Sequence, residues 1–181
     1  MKRLQRAAVL VELADEMRAR GSWCGETHLQ KATYFLQELF DHELDFEFIL
    51  YKHGPFSFDL RDELMSMRAD GLMTLTRQPY PYGPTLAPTE AGEQMKATYP
   101  KTLRNRRTAI DFVAEHLGHK DVNQLERVAT ALYVTRESGG NVPARAREIN
   151  ALKPHISIES AAQAVEEVDA MLVEVEQLKA A

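Results

Sequence analysis

The stretch from Leu29 to Leu75 constrains this chain most, because it changes periodicity repeatedly within a short span. Leu29, Ala32, Leu36 and Leu39 recur at helical spacing, with Phe35 and Phe40 widening the apolar stripe. The polar run Asp41 to Asp45 ends that pattern. Phe46, Phe48 and Leu50 then alternate with Glu47, Ile49 and Tyr51, which is the period of a strand. His53-Gly54-Pro55-Phe56-Ser57 is a turn by composition. Ser57 is suited to N-cap a following helix, and Asp59 is favourable in its first turn. Leu60, Leu64 and Met67 supply the buried face of that helix, and Gly71 suits its left-handed exit. Leu72 to Thr76 reads as a strand, with Thr85 to Ala87 as its partner. Gln78-Pro79-Tyr80-Pro81-Tyr82-Gly83-Pro84 between them projects as a loop or wing, since its prolines cannot donate to a ladder.

A helix precedes this stretch. Leu4, Ala8, Val11 and Ala14 share one face, and Gly21 ends it. After it, Thr89 caps a helix running through Met95, and Pro100 marks a break. From there the pattern is helical throughout. Leu103, Ile110, Val113 and Leu117 read as one helix, and Asp121 with Gln124 forms a capping box ahead of Leu125, Val128, Ala129 and Leu132. Gly139-Gly140 stops that helix, and Pro143 opens a short one. Ser157 opens the last, where Ile158, Val165 and Leu172 interleave with Ala161, Val168 and Val175 at heptad spacing. The expected fold is mainly α: a winged-helix-like core (α-α-β-α-β-β) over residues 1–99, then a helical region over residues 100–181. The two halves can pack as one body.

Composition removes several classes. The apolar runs are only a few residues long, too short for a transmembrane helix. Glu12, Asp15 and Glu16 break any signal-peptide core, and the single cysteine, Cys24, rules out an intrachain disulfide framework. The expected compartment is the cytoplasm. Net charge is −5, which opposes bulk attraction to nucleic acid, but the charge is uneven. Residues 100–153 carry 10 Lys and Arg against 6 Asp and Glu, whereas residues 154–181 carry 1 against 6. A basic middle therefore precedes an acidic tail.

No Walker loop, G-x-G-x-x-G, H-E-x-x-H or G-x-S-x-G occurs, so no catalytic residue, cofactor or metal site is assigned. Cys24 reads as a small buried residue, and His28 is only a nominal partner for it as a nucleophile. His116 and His119, near Glu115 and Asp121, are too loosely arranged for a closed metal site. For nucleic acid, the third helix carries Arg61 and Arg68 against Asp59, Asp62, Glu63 and Asp70, a balance that repels phosphate. The densest basic run is Lys101, Arg104, Arg106 and Arg107, which gives the candidate nucleic-acid contacts. For a protein partner, the candidates are Tyr80 and Tyr82 on the wing with Phe56 and Ser57 of the turn, since rigid aromatics give contact area at little entropic cost. The heptad-spaced last helix offers a seam for a second copy.

Leu29-Gln30-Lys31, Tyr34-Phe35-Leu36-Gln37, Tyr51, Gly54-Pro55-Phe56-Ser57, Leu60, Leu64 and Asp70-Gly71-Leu72 together resemble the YwgA-like and SocA-like bacterial proteins, the latter carrying the Panacea antitoxin domain. The match covers about a quarter of the chain and extends to Thr89-Glu90-Ala91-Gly92 at its weakest. The resemblance implies a non-enzymatic protein that binds a partner protein, such as a cognate toxin, to neutralise it or deliver it to a protease. A DNA-binding winged-helix regulator is the second reading. The long helical second half with its acidic tail departs from the Panacea pattern.

Overall fold

Helix α1 (Arg3–Ala19) is the axis of the molecule, because its small and branched residues are buried on almost every side: Ala7 through Val11, Leu13, Ala14 and Met17. The computed structural model describes residues 1–41, 44–79 and 83–180, and among them the chain is mainly helical with two small antiparallel sheets. Around α1 pack α2 (Glu26–Phe40), the short α5 (Pro100–Arg104), α4 (Glu90–Thr98) and α6 (Arg107–Leu117). Helix α7 (Val122–Glu137) lies on α2. Helices α8 (Val142–Leu152) and α9 (Ile158–Ala180) close over α7. No described helix is long and apolar enough to cross a membrane.

The strands form two separate hairpins. Strand β1 (Ile49–Tyr51) pairs with β2 (Gly54–Phe56), and β3 (Met73–Thr76) pairs with β4 (Thr85–Pro88). This corrects the single strand expected over Phe46 to Tyr51 and the expectation that Gly54 to Phe56 is only a turn. The two turn residues are Lys52 and His53, and Gly54 takes φ +84°, a conformation costly for any side-chain-bearing residue. Phe46 leaves the ladder because the Gln37 side chain satisfies its backbone at both ends: Phe46 N–H donates to Gln37 Oε1 at 3.2 Å, and Gln37 Nε2 donates to the Phe46 carbonyl at 3.0 Å.

Helix α3 (Phe58–Ala69) starts where its cap dictates, with the Ser57 hydroxyl accepting from Leu60 N–H at 3.2 Å, and Gly71 beyond its end takes φ +73°. Thr89 caps α4 through Gly92 N–H at 3.1 Å, and Asp121 with Gln124 closes a capping box on α7. The single helix expected from Leu103 to Leu117 is two, α5 and α6. Arg106 leaves helical dihedrals between them, and buried Thr102 of α5 accepts a bond from Gln5 at 3.4 Å.

One apolar cluster runs from α1 and α2 through α6 and α7 to α9. The heptad-spaced residues of α9 serve this cluster: Ala161, Val165, Val168 and Val175 are buried against the chain's own helices, so they are not available to a second copy. Only Ile158 of that series stays outside, half exposed. Arg145 of α8 grips Asp169 of α9 with two bonds of 2.7 and 2.6 Å and fixes the pair.

Candidate functional site

Helix α2 holds the β1–β2 hairpin with polar side chains, although its own faces are buried. Gln30 brackets Ser57, accepting its N–H at 2.9 Å and donating to its carbonyl at 2.8 Å. One residue on, the Lys31 ammonium donates to the Pro55 carbonyl at 2.8 Å while being 1% exposed. Two turns along, Gln37 makes the bracket at Phe46 described above. These three side chains and Tyr34, which meets Phe48 edge-on at 5.0 Å, set the hairpin rigidly against the core. In this chain these four residues therefore have a conformational task. Desolvation lowers the Lys31 pKa from 10.5 to about 8, with Lys153 adding to the effect and Glu126 opposing it.

The other face of the hairpin points outward. Strand alternation puts Ile49, Tyr51 and Phe56 on one side, away from buried Pro55. Phe58, at the start of α3, extends this surface. Tyr51 and Phe58 are each 46% exposed, and Ile49 is 44% exposed. The three aromatic rings touch one another, with centroids at 5.8 Å for Tyr51–Phe56, 5.8 Å for Tyr51–Phe58 and 5.1 Å for Phe56–Phe58. Such mutual contact pre-orders them and lowers the entropy lost when something covers them.

Beneath the hairpin turn lies a compact charged cluster. Glu126 of α7 is buried, yet four cationic or titratable groups face it. Its carboxylate stands 3.6 Å from His53 Nδ1, 3.2 Å from His155 Nε2 and 3.6 Å from Lys153 Nζ, and Lys31 acts on it through space. Lys153 also donates to the carbonyls of Tyr51 and Lys52, so the α8–α9 connection is tied to the turn. A Cβ at Gly54 would come within 3.1 Å of Thr130 Oγ1, which is how closely the turn sits on α7.

The residues expected from sequence divide. Phe56 belongs to the outward aromatic surface. Ser57 does not: it is fully buried, its hydroxyl caps α3 and its backbone is held by Gln30, so it is corrected from a contact residue to a structural one. Tyr80 and Tyr82 lie outside the described residues. Lys101 and Arg104 are exposed on α5, but the basic run is not continuous. Arg107 is engaged by Glu12 at 2.7 Å, Glu16 at 2.8 Å and Asp111 at 2.8 Å, and Arg106 folds back onto the Thr102 carbonyl. Cys24 is buried, donates weakly to the Ala14 carbonyl, and has its thiol pKa pushed up to about 12 by burial, the state of a protonated core residue. His116 pairs with Glu174 at 3.2 Å and lies against the Phe112 ring. Among the described residues, no three His, Cys, Asp or Glu side chains converge as a metal site.

Sequence reasoning passed over Ile49 and Phe58 as surface residues and missed the Glu126 cluster. The aromatic surface had a local signal, since Ile49 and Tyr51 share a strand face. The cluster had none, because Lys31, His53, Glu126 and the Lys153–His155 pair come from four segments distant in sequence. The chain also has an open cleft of about 680 Å³ where the starts of α2 and α7 meet, lined by Trp23, His28, Pro84 and His119 among others. No protein-family model matches the chain, and none of the curated proteins does.

Proposed function

We propose that this chain is a non-enzymatic protein-binding regulatory module of the bacterial cytoplasm, acting as a toxin-neutralising antitoxin or as an adaptor that delivers a bound protein to a protease. The observation that carries the reading is the ordered outward surface of exposed Ile49, Tyr51 and Phe58 around half-buried Phe56, on a hairpin locked from behind by Gln30 and Lys31. Contiguous apolar surface of this kind marks interaction sites, and rigid aromatics dominate binding energy where they occur. In this reading the core is winged-helix-like, with α3 as its third helix and the β3–β4 hairpin as its wing. The groups around the hairpin contribute contact area and charge; the Lys31 amine is committed to a carbonyl and the Cys24 thiol is enclosed.

The test is capture from the native host with the full chain as bait, comparing wild type with Tyr51→Ala/Phe58→Ala. Both rings are half exposed, so far-ultraviolet circular dichroism and thermal unfolding should change little, while the partner is lost. Failure to retain any protein, or equal retention by the double variant, overturns the proposal.

DNA binding is the second reading, and the observation in its favour is that Lys101 and Arg104 stand exposed together on α5. The exposed side of α3 works against it, as do the ion pairs that engage Arg107. That reading requires salt-sensitive duplex binding that Lys101→Glu/Arg104→Glu abolishes. Absence of binding at low salt removes it.

A further inference from the structure

Two imidazoles stand over one buried carboxylate at the edge of the aromatic surface. His53 and His155 have side chains 65% and 60% exposed, and both approach Glu126, whose side chain is only 5% exposed. Glu126 is already opposed by the ammonium groups of Lys31 and Lys153. The cluster therefore sets two lysine side chains against one carboxylate, beside the two imidazoles. Lys52 on the turn adds a further exposed positive charge, and Glu26 acts on Lys31 from the start of α2. This is a positive spot on a chain whose net charge is −5. At the far end of the aromatic surface, beyond Phe58, the exposed start of α3 carries Asp59 and Asp62 with Arg61, and the local sign reverses.

We propose that His53 and His155 form a subsite for a carboxylate side chain of the partner, adjoining the apolar residues that cover Tyr51, Phe56 and Phe58. The inference rests on the protein-binding reading above and adds the partner's chemistry: a segment with an acidic residue next to aromatic or aliphatic ones. An imidazole N–H donates to a carboxylate oxygen, and the positive surroundings favour a charged acceptor over a neutral amide of the same shape. A polyanion such as single-stranded nucleic acid also stacks on aromatic rings. The Asp59 and Asp62 end repels one, whereas a single carboxylate meets only the positive end.

The experiment uses the full chain and three short peptides, acetyl-Phe-Leu-Glu-amide and its Gln and Lys counterparts, with a dT8 oligonucleotide alongside. Binding is followed by NMR on the histidine and aromatic resonances at pH 6. The Glu peptide should bind at least fivefold more tightly than the Gln peptide, shifting His53 and His155 together with Tyr51. On the variant His53→Gln/His155→Gln that preference for the carboxylate should disappear. Equal binding of the Glu and Gln peptides, or preference for Lys, overturns the carboxylate subsite while leaving docking on the aromatic surface intact. Tighter binding of the oligonucleotide at equal ionic strength overturns it in favour of nucleic acid. No binding by any probe overturns this inference, whereas the protein-binding reading stands or falls on capture from the host.

Discussion

Replacing Lys31 by Met tests whether the hairpin is held by a buried ammonium. Methionine keeps the length of the side chain and removes its charge. In the wild type, the gap between 10.5 and about 8 corresponds to about 3 kcal/mol, the cost of keeping Lys31 protonated inside the fold at neutral pH. Below pH 8 both folded and unfolded states carry the proton, so that cost is borne in full. Between pH 8 and 10.5 the folded state releases the proton while the unfolded state keeps it. The unfolded state then binds more protons, and stability rises with pH. The rise from this one group is about 1 kcal/mol by pH 9. At pH 7 the variant escapes the desolvation cost but leaves the Pro55 carbonyl without its donor, a loss of roughly 1–3 kcal/mol. The two effects oppose each other, so the pH 7 difference is small and the slope is diagnostic. Cys24 and Tyr34, both raised by burial, lose stability as their unfolded-state groups ionise above pH 9, but they are common to both proteins and cancel in the difference. Urea unfolding of wild type and Lys31→Met at pH 7, 8, 9 and 9.5 measures it. Wild type should gain on the variant steadily above pH 8. A difference that stays flat from pH 7 to 9.5 refutes a desolvated Lys31.

Three further outcomes follow from other contacts. In Gly92→Ala the new Cβ lands on the Leu72 carbonyl oxygen, a backbone atom that cannot swing away; the cost should be roughly 1–3 kcal/mol, read as a fall of several degrees in Tm. Asp169→Ala strands the Arg145 guanidinium, which is 6% exposed, and should lower stability by about 1–3 kcal/mol in urea, whereas Lys179→Ala, at an exposed ion pair with Asp41, should cost under about 1 kcal/mol. Cys24 should resist a thiol-specific reagent at pH 8 in the native protein and react at once in urea; prompt native labelling would show that the thiol is neither buried nor protonated as described.

Much of the local structure was legible because its causes are local. Ser57, Thr89 and Asp121 start helices through bonds to residues three positions on, and Gly71 and Gly139 end them by accepting positive φ. Amphipathic spacing likewise identified the buried faces of α2 and α3. The misplacements come from side chains acting at a distance. Phe46 has strand alternation, but a glutamine nine residues earlier takes its backbone bonds. Ser57 reads as an exposed turn residue until Gln30 closes around it. Lys101 to Arg107 reads as one basic run until Glu12 and Glu16, on another helix, engage its last member.

What the sequence determined by itself, then, is where helices begin and end and which of their faces are apolar, since both depend on residues within a turn or two of each other. Strand alternation already put Ile49 and Tyr51 on one face, but only the tertiary structure decided that this face looks outward and which charges meet. Strand pairing turned Ile49, Tyr51 and Phe56 to the same side, and the packing of α2, α7 and the α8–α9 connection brought Lys31, Glu126, Lys153 and His155 under one turn. Electrostatic and apolar contacts act through space over a few ångströms. Residues more than a hundred positions apart become neighbours only once the fold is complete.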